Sequence, residues 1–193
     1  MSTADLRKGR KQMEQLFEKQ IASECKFEGR ILDLYVDTVK LPNGHISTRE
    51  YIKHVGAACV VPIDDDGNVV VEKQFRYPFG AVLTEIPAGK LDSKTEPHRE
   101  AALRELAEET GCTAEEMIYL GEYYPTCAYS DEVIHMYLAK GIRAGEQHLD
   151  EDEFVNVEKV PLRELIDRVM AGEIKDGKTQ TALLKAFLYL QNR

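Results

Sequence analysis

The stretch Gly89–Cys112, GKLDSKTEPHREAALRELAEETGC, restricts the fold of this chain more than any other. From about Glu96 to Thr110 its pattern predicts a helix, and Gly111 suits the left-handed turn that ends one. At about 100° per residue, Glu105, Glu108 and Glu109 share one face, with Ala101 and Ala102 on that face one turn earlier. Leu103, Leu106, Ala107 and Thr110 fall on the opposite side and are predicted to face the core. Like charges at this spacing repel by roughly a few tenths of a kcal/mol. A hard divalent cation reverses that cost, because Mg²⁺ and Mn²⁺ favour carboxylate oxygen. Small alanines beside the carboxylates would leave space for the metal, its waters and a phosphate. The acidic spacing taken alone describes a solvated helix face equally well.

Around this helix the chain reads as strands. Arg30–Lys40 and His45–Lys53 are predicted strands joined by a turn at Pro42-Asn43-Gly44. Ala57–Ile63 is a continuous apolar run, as in a buried strand, and Asp64-Asp65-Asp66-Gly67-Asn68 turns it towards Val69–Phe75, its expected hairpin partner. Further strands are expected at Leu83–Pro87, Met117–Tyr124, Val133–Ala139 and Phe154–Val160, and helices at Leu162–Ala171 and Lys178–Leu190. The expectation is an α/β chain in three parts. Residues 1–22 form an N-terminal helix or arm, 23–54 an antiparallel strand region, and 55–193 the main domain.

Composition limits the partners. The 193 residues carry 25 basic and 34 acidic side chains, a net charge of −9, which disfavours general binding to nucleic acid or anionic membrane. With 43% hydrophobic and 31% charged residues the chain is not disordered. No apolar run approaches the ~18 residues of a membrane span. The first residues mix Arg7, Lys8, Arg10 and Lys11 with Asp5 and Glu14, without the apolar core of a signal peptide. Cys25, Cys59, Cys112 and Cys127 form no C-x-x-C pair and are expected to be reduced. These features together lead us to expect a cytoplasmic protein.

Gly89, Glu96, Arg104-Glu105, Leu106, Glu108-Glu109, Gly111 and Cys112 fall in an order that resembles the Nudix box, G-x5-E-x7-R-E-U-x-E-E-x-G-U with U apolar. The chain departs from it by one extra residue between Gly89 and Glu96. The resemblance implies the Nudix fold, a mixed β-sheet sandwiched between helices, here with an N-terminal antiparallel strand subdomain. It also implies metal-dependent hydrolysis of a nucleoside diphosphate linked to another moiety. Glu105, Glu109 and the Ala88 carbonyl would be metal ligands, with Glu108 a ligand or a close neighbour, and Mg²⁺ the metal, Mn²⁺ its substitute. Arg104 would orient the carboxylates, although a plain ion pair with Glu100 accounts for it as well.

Outside the box, Arg49 in STREYIKH, Arg76 in VVVEKQFRYP, EIPAGK, DEVIHMYLA, LDEDEFV and GEIKDGKTQTALL look like the ADP-ribose pyrophosphatase branch. That likeness implies Glu151 or Glu153 as the general base. Arg49 and Arg76 are candidates for phosphate or sugar contacts. Phe27, Tyr51 and Tyr77 are candidates for stacking on a base, and Glu85 for contact with substrate or metal. His98 and His135 have neither triad nor ligand spacing and are read as structural. The branch forms homodimers in which the N-terminal strands of one chain help build the partner's site. Its members carry a Ser-Pro-Gly turn where this chain reads Pro125-Thr126-Cys127-Ala128-Tyr129. The leading expectation is therefore an ADP-ribose or related nucleoside diphosphate sugar pyrophosphatase. A GDP-mannose-preferring relative and a non-catalytic nucleotide-sugar sensor are its rivals.

Overall fold

The computed structural model describes residues 16–149 and 154–192. They fall into two units. The first holds residues 16–54 and Thr126–Asp131, and the second Val55–Pro125 with residues 132–149 and 154–192.

The first unit is an antiparallel sheet of β1 (Lys19–Glu28), β2 (Asp33–Lys40) and β3 (Ile46–Lys53), with β2 in the middle. β2 and β3 pair in unbroken register from Asp33 opposite Lys53 to Lys40 opposite Ile46. The turn between them closes through Gly44 N–H to Leu41 O at 2.9 Å, with Gly44 at φ 87°, a conformation glycine adopts freely. Residues 19–22, expected in a helix or arm, are strand instead. Their backbone pairs with β2 as far as Lys40, with bulges at Gln20/Ala22 and Cys25/Phe27. Thr126–Asp131, which contains the Cys127-Ala128 departure, is bonded to the end of β3. Ile52 N–H donates to Tyr129 O at 2.9 Å, and Asp131 N–H donates to Ile52 O at 3.1 Å.

The second unit contains two sheets. One is mixed, in the order β7 (Ala88–Lys90), β4 (Ala57–Pro62), β9 (Ile134–Lys140), β8 (Glu116–Tyr123), with β4 and β9 parallel. The other is antiparallel, in the order β10 (Val155–Pro161), β5 (Asn68–Arg76), β6 (Ala81–Glu85). The expected hairpin of the Ala57–Ile63 and Val69–Phe75 runs does not form. Only an isolated bridge, Ile63 to Val69, joins them before the strands part into different sheets. Each is buried and hydrogen-bonded along both edges to other strands, so neither has an edge left for the other.

β4 alternates between two cores. Cys59 and Val61 join Leu165 and Val169 of α2 (Leu162–Met170) and Ala182, Leu183 and Ala186 of α3 (Gly177–Gln191). Ala58 and Val60 join Ala101, Ala102 and Leu106 of α1 (His98–Thr110). The mixed sheet thus lies between helices, as expected. Burial pushes the Cys59 thiol up to about 12, so it is a core group and not a nucleophile.

The faces of α1 differ from the sequence expectation. The buried residues are Ala101, Ala102, Glu105, Leu106 and Glu109, whereas Leu103 and Ala107 are only half-buried. The alanines therefore do not leave space for a metal. They are fully buried, and their small side chains let the helix approach the sheet closely. The carboxylate face and the packed face are one. α1 also starts at His98 and not at Glu96, because Pro97 is the cap residue, in extended conformation.

Candidate active site

The approach of α1 to the sheet sets its carboxylates against β7. Ala88 N–H donates to Glu109 Oε2 at 2.8 Å. A Cβ placed on Gly89 would lie 1.9 Å from the Glu105 carboxyl carbon, so Glu105 occupies the space that any side chain there would need. Glu105 is 8% exposed and Glu109 3%. Arg104 sits among the acids. Its Nη1 donates to Glu105 Oε1 at 2.7 Å and to Glu108 Oε2 at 3.1 Å, and its Nη2 to Lys90 O at 3.2 Å. Its Nε lies 3.5 Å from Glu96 Oε1. Burial works to lower the Arg104 pKa, but the charges and hydrogen bonds of Glu105 and Glu108 outweigh it and hold the guanidinium above its ordinary value. Glu100 pairs with Arg99 at 3.0 Å. Glu96 Oε2 accepts from Asp92 N–H at 2.6 Å, which closes the lengthened loop ahead of the helix. At the other end of α1, His148 N–H donates to Glu108 O at 2.9 Å and Gln147 Nε2 donates to Glu109 O.

A second polar cluster adjoins β7 along the chain. Arg76, on β5, grips Glu85, on β6, with two hydrogen bonds of 2.6 Å each. Glu85 is 1% exposed and also accepts from Lys178 Nζ. Lys178 reaches Asp176 Oδ2 at 3.1 Å as well. Asp176 caps α3 by accepting from Thr179 N–H at 2.9 Å, and Thr179 Oγ1 in turn accepts from Ile86 N–H at 3.0 Å. Burial works to raise the Glu85 carboxyl, but Arg76 and Lys178 overcome it and hold it below the usual range. Lys178 is likewise pushed down by burial and lifted further by Asp176 and Glu85, so it stays charged. The free edge of β6 and the segment around Asp176 border a cavity of about 550 Å³, within the range of small-molecule sites.

The structure therefore gathers Ala88, Arg104, Glu105, Glu108 and Glu109 in one cluster and Arg76 with Glu85 in another. Arg49 and Phe27 belong to the first unit, where Arg49 Nη2 pairs with Glu18 at 2.5 Å and Phe27 is exposed on β1. Glu151 and Glu153 lie outside the described residues. Lys178, Asp176 and Thr179 were not among the site residues read from the sequence. Asp176 before an apolar helix is a readable cap, but nothing local marks Lys178 as buried.

Among the described residues no three His, Cys, Asp or Glu side chains converge as a ready metal cluster. Two of the box carboxylates are engaged by Arg104 and a third by the Ala88 amide. The donor set nevertheless fits a hard divalent cation. It offers only oxygen, two of its three carboxylates are buried, and Glu105 faces β7 where Gly89 carries no side chain.

Comparison with known proteins agrees with this geometry. The NUDIX domain matches residues 53–181, and the nucleoside diphosphate sugar hydrolase N-terminal domain matches residues 18–52. The ADP-ribose pyrophosphatase of Bacillus subtilis is 44% identical over 173 residues, 89% of this chain and 93% of its own length. The methanol dehydrogenase activator of Bacillus methanolicus is 42% identical over 182 residues, 93% of this chain and 97% of its own length. A crystal structure of an ADP compounds hydrolase superposes with a TM-score of 0.80 over 92% of this chain and 96% of that one. At 20% identity that likeness speaks for the fold alone. With both domain matches spanning the described units and the box residues gathered on α1 and β7, the chain belongs to the NUDIX family, in its nucleoside diphosphate sugar hydrolase branch.

Proposed function

We infer that this enzyme hydrolyses the pyrophosphate of a nucleoside diphosphate sugar, ADP-ribose first among them, to a nucleoside monophosphate and a sugar phosphate. The observation that carries this reading is the set Glu105 and Glu108, held by Arg104, and Glu109, held by the Ala88 amide, with Glu105 set against the side-chain-free Gly89. Glu105, Glu108, Glu109 and the Ala88 carbonyl are the residues that would hold Mg²⁺, with Mn²⁺ as substitute. When bound, such an ion neutralises phosphate oxygens and acidifies a water. Arg104 balances Glu105 and Glu108 and keeps them on the β7 side of the helix. Arg76, held by Glu85 before substrate arrives, receives a phosphate oxygen. Arg49 and Phe27 serve the nucleoside or sugar end, and Glu151 or Glu153 accepts the proton of the attacking water. The branch likeness supports a homodimer. The net charge of −9 supports small anionic substrates over nucleic acid, and the composition supports a cytoplasmic location. No helix among the described residues is long and apolar enough to cross a membrane.

The test is phosphate release from ADP-ribose, ADP-glucose, GDP-mannose, UDP-glucose and NADH with Mg²⁺ and a coupled phosphatase, against an EDTA control. Metal-dependent cleavage led by ADP-ribose supports the reading. Cleavage led by GDP-mannose moves the substrate and keeps the reaction. No cleavage of any compound sinks the enzyme and leaves the sensor. The Bacillus methanolicus relative supports a second reading, activation of a methanol dehydrogenase. Adding the protein and its Glu109→Gln variant to such a dehydrogenase separates activation that needs the carboxylate cluster from activation that does not.

A further inference from the structure

Lys178 is hard to explain by local stability. It is 9% exposed, and a lysine stem and ammonium in that position give up hydration. It stands in the first turn of α3, two residues past the Asp176 cap, where the helix dipole disfavours a cation. An apolar side chain would fill the same space without either cost. What the ammonium contributes is a second partner for Glu85, whose first partner is Arg76.

The cluster is unequal in exposure. Glu85 is 1% exposed and Lys178 10% at the side chain, but Arg76 is 38% exposed. Arg76 is the member able to move. Its Nε and Nη2 edge is on Glu85, so it has to loosen that grip to offer a phosphate the same two-donor edge. If Glu85 had only Arg76, that movement would leave a buried carboxylate without a counter-ion, which is costly. Glu72, 1% exposed and directly opposite Glu85 across β5 and β6, would add to the cost by like charge.

We propose that Lys178 is a positioning residue for substrate binding: it keeps Glu85 paired when Arg76 turns from Glu85 to the anionic diphosphate. This rests on the reading that Arg76 contacts that diphosphate. Lys178 itself touches no substrate. Asp176 anchors it and accepts from the Thr179 hydroxyl, which also holds the Ile86 amide, so the support reaches the segment that leads to Ala88.

The experiment compares Lys178→Met, Lys178→Arg, Glu85→Gln and the double variant Lys178→Met with Glu85→Gln. Each is measured for KM and kcat on ADP-ribose, for equilibrium binding of ADP-ribose by calorimetry, and for thermal melting. In Lys178→Met, Glu85 captures Arg76, so KM and the dissociation constant rise about tenfold or more while kcat stays within about threefold. Lys178→Arg retains most of the affinity. The double variant recovers it, because a neutral glutamine no longer captures Arg76. A purely structural role would lower the melting temperature without that recovery. If Lys178→Met does not fold, Lys178→Gln takes its place, and the inference requires it to raise KM and the dissociation constant while kcat holds. It is overturned if folded Lys178→Met binds normally, if kcat falls while KM holds, or if the double variant binds no better than Lys178→Met. Unaltered protein that binds ADP-ribose without cleaving it sinks the hydrolase reading but leaves Lys178 tested by the binding arm. Protein that neither binds nor cleaves any nucleotide sugar overturns both.

Discussion

Gly89 shows how a single hydrogen in place of a side chain sets a site. The position fails for alanine because an added Cβ would meet the Glu105 carboxyl at 1.9 Å. The obstructing group is the far end of a flexible side chain, so the fold can yield cheaply while the carboxylate cannot stay. Gly89→Ala is therefore expected to melt within about 3 °C of the unaltered protein yet lose about tenfold or more of its metal-dependent turnover. A melting curve beside a phosphate-release assay reads both, and unchanged turnover would show that Glu105 need not touch β7. Glu109→Gln makes the complementary case. An amide oxygen still accepts from Ala88 N–H, so folding is expected to persist, but a metal ligand loses its charge and turnover should drop about a hundredfold or more. Calorimetric titration with Mg²⁺ separates lost ligation from lost folding. The carboxylates were legible in the sequence because they sit on one helix, where spacing fixes which of them share a face. The Glu85–Lys178 pair was not, since its members are 93 residues apart and only tertiary packing brings them together.

Elements were legible where a strand or helix carries its own period, and not where the neighbour decides. The apolar run of β4 announced a buried strand, but which strands flank it is encoded in those strands, so the expected hairpin with β5 was lost to β9 and β7. The phase of α1 was misread for a similar reason. Ala101 and Ala102 pack tightest because they are small, which a hydrophobicity wheel does not weigh. Two element-scale predictions follow from the caps and strands. Asp176→Ala removes the α3 cap, the Thr179 hydroxyl contact and a Lys178 partner together, and should lower the melting temperature by about 5 °C or more. The other concerns His98, at the start of α1, and His135, on β9, whose rings stack at 3.9 Å. His98 Nδ1 meets the Tyr137 hydroxyl, His135 Nδ1 lies 3.0 Å from the Tyr119 hydroxyl, and Glu122 is opposite His135 on β8. Burial and the neighbouring His98 push the His135 pKa below its ordinary value, and Glu122 only partly offsets them. A depressed histidine contributes stability above its unfolded pKa of about 6.5, and that contribution fades as pH falls towards the folded value. Glu85, also depressed, contributes above its ordinary carboxyl value and fades only in more acidic solution. Melting temperature should thus fall in two stages on acidification. His135→Gln, which keeps an acceptor for Tyr119, should flatten the first stage and leave the second. A variant that falls as steeply as the unaltered protein near pH 6 would remove His135 from this account.

At the scale of the molecule, the first unit cannot be explained by its own packing. β1 is exposed along its whole length, and Ile21, Phe27, Ile31, Leu32 and Ile46 are exposed large apolar side chains. A three-stranded sheet needs an apolar face covered to be stable, and a group of uncovered apolar side chains marks an interaction surface. The sequence reads this region as strands, but local pattern does not say what covers their apolar side chains. A homodimer, as proposed above, would supply a cover, and an isologous two-fold is the commonest arrangement. Sedimentation is expected to give about twice the chain mass of 21.9 kDa, and Phe27→Glu to shift the protein towards that single mass. The sharper question is whether each site takes Arg49 from one chain and Glu109 from the other. Arg49→Ala and Glu109→Gln would each abolish most activity alone. Unfolded together and refolded, they form mixed dimers as about half the population, and each mixed dimer then has one site with both residues intact. Activity should return to about a quarter of the unaltered level, because one site in two is whole in half the molecules. If each site draws both residues from one chain, every site in a mixed dimer carries a defect and no activity returns. Recovery therefore requires sites shared between protomers, whereas its absence in a verified dimer would assign Arg49 and Glu109 to the same chain's site and leave the first unit with assembly as its task.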